Sequence, residues 1–255
     1  MTWKGILYEQ TRSDMPVGII AGTAIYSIPS ITMEEISVDT PYGETLILRG
    51  EGENSDLIFL PRHGPKHSTP PHKINYRANI HALSSLGATH VLAAYAVGSI
   101  NTNMPPMSLV AIDDFIDFTS GREVTFFDGG VNKVKHIDVS EPFCTSLRST
   151  LLELSAQYGL EIIPGGTYVC TNGPRLESPA EVRMLSKLGG DVVGMTAIPE
   201  ITLAKELDIC FAAVAFSVNW AAGIEKKISF VEDGLSDLGK NLLDLFIRAL
   251  REASK

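Results

Sequence analysis

The stretch "SDLIFLPRHGPKHSTPPHKINYRANIHALSSLGATHVLAAYAVGSI", residues 55–100, decides the fold class. It opens on an apolar run over 55–62 that reads as a strand and closes on a second over 89–100, a buried strand ending in a small-residue turn. Between them, residues 75–88 set Ile80, Leu83 and Leu86 on one helical stripe, with Gly87 as terminator. Strand, helix and strand in succession are the pattern of a sheet covered by helices. Behind the first strand, Arg62, His63, Lys66, His67, His72, Lys73 and Arg77 crowd cationic and donor groups into a chain that is otherwise acidic.

The alternation continues in both directions. Residues 17–25, VGIIAGTAI, read as a strand and a glycine turn, and 44–50 reads as the hairpin-like partner of 55–62. Further strands are expected at 107–119, 165–173, 191–196 and 209–220. Helices are expected at 140–159 with Glu141 near its start, and at 178–189, 199–208 and 234–253. No repeat or linker divides the chain, and 255 residues at 44% apolar composition suffice for one sizeable core. A single α/β domain spanning 1–255 is therefore expected.

A formal net charge of −9 argues against a protein that coats nucleic acid or an anionic membrane, since those surfaces select for excess Lys and Arg. An anionic ligand has to be caught locally. Cys144, Cys170 and Cys210 are widely spaced, odd in number and in no metal-ligand spacing, so they read as reduced core thiols. The opening MTWKGILYEQTRSD lacks the apolar centre and cleavage site of a signal peptide, and no run has the length of a membrane span. A cytoplasmic protein is expected.

Open α/β sheets place ligands at strand ends. At those ends stand Gly22-Thr23, Arg62-His63, Ala96-Val97-Gly98 and Met195-Thr196. Backbone N–H groups, hydroxyls and one guanidinium gathered from four turns suit a small multivalent oxyanion such as phosphate. Taken singly, each has a plainer reading. A Gly-Thr turn is commonly only a turn, and GIIAGTAI matches neither the dinucleotide nor the Walker pattern. Arg62-His63, His67 and His72 can belong to a solvated loop, His81 and His90 can pack or cap, and Met195 can fill core.

Taken together, these stretches resemble the trimeric purine nucleoside phosphorylases, most closely their methylthioadenosine phosphorylase branch. The shared motifs run in the family's order: GIIAGTAI, DTPYG (39–43), RHGPKH (62–67), INYRANI (74–80), SEPFC (140–144), TNGPRLE (171–177), GMTAIPE (194–200) and LAKELDI (203–209). The resemblance implies a mixed twisted sheet flanked by helices and a homotrimer. It also implies phosphate-dependent cleavage of the bond between purine and ribose, with phosphate as co-substrate and no metal or organic cofactor. It carries phosphate binding to Thr23, Arg62, His63, Ala96 and Thr196, ribose contact to Met195, and catalysis to His63, Glu177 and Asn219. Tyr95 stands where the family often has a small polar residue on phosphate. Either its hydroxyl takes over, or its ring turns away and leaves the backbone of Ala96 to serve.

Two departures bear on the substrate. Methylthioadenosine phosphorylases that accept 6-aminopurines carry Asp where this chain has Asn219, and a small residue such as Ser where it has Glu177. Asn can donate to a 6-oxo group while supporting N7, and a carboxylate can accept from N1–H of hypoxanthine. The competing reading has Glu177 cap the helix that starts near Ser178. His136 stands where the methylthioadenosine branch brings a histidine across from the neighbouring subunit, or else it packs at an interface with no ligand role. Asn219, Glu177 and His136 together are similar to the bacterial methylthioinosine phosphorylases, which makes 5′-methylthioinosine the expected nucleoside.

Overall fold

The computed structural model describes residues 15–23, 25, 28–64 and 67–255, and among these eleven strands join one mixed sheet. They are β1 (Val17–Ala21), β2 (Met33–Thr40), β3 (Gly43–Gly50), β4 (Leu57–Pro61), β5 (His90–Ser99), β6 (Leu109–Ala111), β7 (Asp114–Asp117), β8 (Ile162–Ile163), β9 (Thr167–Cys170), β10 (Val192–Gly194) and β11 (Cys210–Trp220). The helices are α1 (Tyr76–Ser85), α2 (Thr145–Gln157), α3 (Pro179–Lys187), α4 (Ala197–Glu206) and α5 (Leu235–Ala253). None of them is long and apolar enough to cross a membrane. The N-terminal stretch read for a signal peptide, and Pro65-Lys66 of the cationic cluster, lie outside the described residues.

β4, β1, β5 and β11 are parallel neighbours in the middle of the sheet. Such strands are buried on both faces and read as continuous apolar runs. Alternate residues go to opposite sides. Ile20, Leu60 and Ala93 join Ile80, Leu83 and Ile201 of α1 and α4, whereas Ile19, Phe59 and Leu92 join Leu147 and Phe246 of α2 and α5. Each fully buried Leu, Ile or Phe in these layers contributes about 1.5–3 kcal/mol.

The sheet departs from the expected strands in three places, the smallest being the two-residue β8, which no expected strand covers. Residues 33–40, too polar to be read as a strand, form β2, which pairs with β3 along its whole length from Met33↔Gly50 to Thr40↔Gly43. The hairpin partner of β3 is therefore β2, and its pairing with β4 is confined to Leu48↔Phe59 and Arg49↔Ile58. The expected strand at 107–119 is two strands, because the chain changes neighbours between them: β6 pairs with β11 and β8, and β7 with β9. The expected helix at 140–159 starts later, with Cys144 as N-cap of α2, and the Glu141 carbonyl accepts from Lys205 Nζ instead of opening the helix.

The cysteine reading is corrected. Cys144 and Cys210 form a disulfide, and only Cys170 is a free, buried thiol. They lie 66 residues apart in sequence, but the Cys144 N–H donates to the Phe211 carbonyl at 2.8 Å, so the start of α2 is tied to the start of β11 and the two Cα atoms stand 5.1 Å apart. The disulfide removes the support that unpaired cysteines gave to a cytoplasmic reading. Burial pushes the Cys170 thiol up to about 12. Thiol titration at neutral pH is expected to find no reactive thiol in the native protein, one after denaturation and three after denaturation with reduction.

Candidate active site

β11 pairs with β5 from Cys210↔His90 to Trp220↔Ser99 and so takes one whole edge of that strand. The other edge is shared. β1 holds it as far as Ile20↔Ala93, and β10 arrives antiparallel at Val193↔Gly98 and Val192↔Ser99. Between them, from Ala94 to Val97, the edge has no strand partner among the described residues. The ends of β1 and β10 face each other across this gap, and β4 ends level with β1 at Ala21↔Pro61. Buried backbone groups need partners. Here they open onto a cavity of about 540 Å³ into which the turns after β1, β4 and β10 converge.

Arg62 and Glu200 build the floor. Arg62 Nε and Nη2 donate to the two oxygens of Glu200 at 2.6 and 3.0 Å, and Nη1 donates to the Ala94 carbonyl at 3.2 Å. That carbonyl lies on the free edge of β5. Strand alternation sets the Ala96 N–H on the same edge, toward the cavity that Ala96 lines. Glu200 is fully buried and also accepts from Tyr95 Oη at 2.9 Å, while the guanidinium lies 4.6 Å over the Tyr95 ring. The ring of Tyr95 is thus turned away from the cavity, the second of its two readings. Burial works against the Arg62 charge, but the charge and hydrogen bonds of Glu200, with a smaller contribution from Tyr95, outweigh it and raise the pKa. One N–H on each terminal nitrogen is left for a ligand. The turn after β1 needs glycine to close here, because a Cβ on Gly22 would stand 2.8 Å from His63 Cδ2 and 3.2 Å from Arg62 Nη1.

His63 is buried beside Arg62. Its Nδ1–H donates to the Thr69 carbonyl at 2.8 Å, and the Thr69 N–H donates back to the His63 carbonyl at 3.1 Å. This fixes the tautomer and leaves Nε2 as an acceptor. Desolvation lowers the His63 pKa to about 4, with the Arg62 and His67 charges adding to it and the Thr69 carbonyl opposing.

The remaining wall carries the polar residues expected for a base and a sugar. At the end of β11 the register with β5 slips between Ser217 and Asn219, leaving Val218 as a bulge. Bulges re-aim side chains, and here Asn219 turns into the cavity. Its Nδ2 donates to the Trp220 carbonyl at 2.8 Å, which leaves Oδ1 and one N–H. Glu177 accepts from Thr171 Oγ1 at 2.7 Å. It does not cap α3, because Ser178 and Glu181 form the capping box themselves. Met195 and Thr196 follow β10. Thr196 is the N-cap residue of α4, yet its side chain makes no cap bond and faces the cavity.

Thr23, Arg62, His63, Ala96, Glu177, Met195, Thr196 and Asn219 thus line one cavity, Thr23 at its exposed rim. His136 is exposed and lines a separate surface groove with Lys135, Asp138 and Lys205. Within one chain it is not part of the site. Sequence reasoning missed Glu200. The signal was a lone carboxylate inside the apolar helical run AIPEITLA, four residues after Thr196.

The family model described as the phosphorylase superfamily matches residues 16–251. A probable 6-oxopurine nucleoside phosphorylase of Dictyoglomus turgidum is 50% identical over 211 residues, covering 82% of this chain and 80% of the relative. A probable S-methyl-5′-thioinosine phosphorylase of Thermodesulfovibrio yellowstonii is 42% identical over 238 residues, 89% of each chain. Among solved structures, a variant of adenosine/methylthioadenosine phosphorylase from Schistosoma mansoni in complex with methylthioadenosine superimposes with a TM-score of 0.82 at 29% identity, covering 94% of this chain and 90% of that one.

Two stability measurements probe the site. Glu200→Gln leaves the Arg62 charge buried without its counter-ion, and urea unfolding is expected to show a loss of about 3 kcal/mol. Between pH 6.5 and about 4 the unfolded chain carries a proton on residue 63 that the folded chain lacks. Stability is therefore lost as pH falls through that window. His63→Gln is expected to flatten that part of the urea-midpoint profile.

Proposed function

The chain belongs to the phosphorylase superfamily, and from that premise we propose that its cavity cleaves 6-oxopurine nucleosides with inorganic phosphate, 5′-methylthioinosine being the favoured substrate. The observation that carries the reading is the set of free donors at the gap in the sheet. These are two Arg62 N–H bonds, the Ala96 N–H and the Thr196 hydroxyl, arranged beside a wall that presents Asn219 and Glu177. Phosphate is the co-substrate, and no step in the reading calls for a metal or an organic cofactor.

The mechanism follows from charge. As the bond from C1′ to N9 breaks, the sugar becomes oxocarbenium-like, and a phosphate oxygen held beneath it forms the new bond to C1′. Arg62 is already answered by Glu200, and His63 is neutral at neutral pH. The phosphate is oriented without being fully neutralised and keeps negative charge to offer the sugar cation. Holding it in line also removes much of the entropic barrier to its attack. His63 Nε2 accepts from a phosphate or sugar hydroxyl, and Met195 packs on the ribose. The departing purine takes the bonding pair and, at N7, the proton that the phosphate gives up to water as it becomes the sugar phosphate; Asn219 Oδ1 accepts from that N7–H and the remaining Asn219 N–H donates to a 6-oxo group.

Base choice rests on Glu177. Thr171 occupies Oε1 and leaves Oε2 to accept from N1–H of a 6-oxopurine. Against adenine, lone pair would meet lone pair. The names of the Dictyoglomus and Thermodesulfovibrio relatives, a probable 6-oxopurine nucleoside phosphorylase and a probable S-methyl-5′-thioinosine phosphorylase, support this reading. The methylthio preference is supported by apolar Val218, Ile228 and Phe230 on the cavity wall, and by His136 if a neighbouring subunit of a homotrimer delivers it. A second reading, phosphorolysis of inosine or guanosine, is favoured by the higher identity to the Dictyoglomus relative.

Product assays with methylthioinosine, methylthioadenosine, inosine and adenosine, each with and without phosphate, test the proposal. Release of base is expected only with phosphate, and the ratio of kcat/KM for methylthioinosine over methylthioadenosine is expected to exceed roughly 100. A ratio at or below one would restore the 6-aminopurine substrate. Asn219→Asp combined with Glu177→Ser is expected to move the ratio toward methylthioadenosine. Arg62→Lys keeps the charge but loses the fork, and is expected to cost about 2–4 kcal/mol in kcat/KM.

A further inference from the structure

Arg122 lies in the irregular stretch after β7 and does not line the cavity, yet its guanidinium meets the backbone of two cavity walls. Nη2 donates to the carbonyls of Thr171 and Asn172, each at 3.3 Å, and of Met195 at 2.8 Å. Nη1 donates to the Ile198 carbonyl and, at 3.3 Å, to Tyr76 Oη. Thr171 and Asn172 open the segment that ends in Glu177, while Met195 and Ile198 bracket Thr196. Tyr76 Oη in turn donates to the Pro71 carbonyl at 2.9 Å, and Pro71 belongs to the loop that forms a third wall.

Besides these contacts, the Arg122 guanidinium lies 5.2 Å over the Tyr76 ring. No carboxylate among the described residues pairs with Arg122, and its Nε is buried without a partner. Its polar contacts are backbone carbonyls, the Tyr76 hydroxyl and, at 4.0 Å, the Cys170 sulfur. A planar guanidinium reaches acceptors on separate segments at once, which a single ammonium does poorly. The segments it joins also touch directly. Gly173 has φ +60°, and a Cβ there would stand 2.3 Å from Met195 Sδ.

We propose that Arg122 is a positioning residue of the nucleoside cavity, tying the base segment 171–177, the sugar and phosphate turn 195–198 and the covering loop 67–71 into one arrangement. This rests on the nucleoside-cleaving reading of the site. Arg122 touches no substrate. Its removal lets the three walls drift apart, and a misplacement of about 1 Å costs on the order of 100-fold in rate.

The test begins without substrate. In Arg122→Ala, amide exchange of 171–177, 195–198 and 67–71 is expected to quicken about tenfold or more while β1, β5 and β11 keep their protection. The kcat/KM is expected to fall about 100-fold, and free guanidinium at millimolar concentration to restore it about tenfold, by filling the vacated position. Unchanged exchange in the three segments overturns the proposal, as does kcat/KM close to wild type, or a loss that guanidinium does not relieve. If Arg122→Ala does not fold, Tyr76→Phe decides, since it keeps the ring and removes only the hydroxyl that joins Arg122 Nη1 to the Pro71 carbonyl. Faster exchange of 67–71 with a raised nucleoside KM supports the tie, and no change in either overturns it. A wild-type protein that cleaves nucleosides without phosphate, or not at all, would instead overturn the function proposed above, while the exchange measurement still reads the tie.

Discussion

A strand in the middle of a sheet has two edges to satisfy, and β5 satisfies one of them only in part. β11 runs along one side without a break, whereas β1 stops at Ala93 and β10 starts at Gly98. The backbone between them would be a liability in a closed core. Instead it becomes one wall of a cavity, with Arg62 on the Ala94 carbonyl and the Ala96 N–H left to a ligand. The glycine turn after β1, the Arg-His turn after β4 and the Met-Thr turn after β10 converge because their strands all end at this gap. The bulge in β11 lies opposite and turns Asn219 inward.

The electrostatics of the cavity are set by pairing more than by net charge. A chain with net charge −9 builds the proposed anion site by burying one guanidinium against one carboxylate and keeping the adjacent imidazole neutral. The Glu200 fork fixes the plane of Arg62 and leaves one N–H on each terminal nitrogen directed elsewhere. A buried pair of this kind gives little net stability, since desolvation offsets most of the attraction. What it provides is orientation. Arg122 has the complementary design, a cation with no carboxylate partner among the described residues, spent on backbone carbonyls of the walls. One arginine thus faces the cavity, and the other faces the backbone that forms its walls.

Local pattern made much of this legible. The apolar runs of β1, β4, β5 and β11 and the stripes of α1, α3, α4 and α5 are properties of short windows, because alternation and helical period repeat within a few residues. Thr23, Arg62, His63, Ala96, Met195 and Thr196 could be named from sequence since strand ends carry their polar residues next to the apolar run, whereas Glu177, Asn219 and His136 came with the family resemblance. What failed was what local pattern does not encode. β2 is an edge strand whose polar, exposed side chains break the apolar signal. The two readings of Tyr95 stayed open because its partner, Glu200, stands 105 residues further along the chain.

Most of the strands and helices, the polar residues that close the strands, and a family resemblance carried by ordered motifs were legible over a few consecutive residues. The partnerships came from the packed fold alone. Arg62 meets Glu200 across 138 residues, Arg122 meets Met195 across 73, and Cys144 joins Cys210 across 66. At such separations the chain between two partners imposes no preference on their meeting. The pairing is set by which strands lie side by side in the sheet, and so by packing of the whole chain.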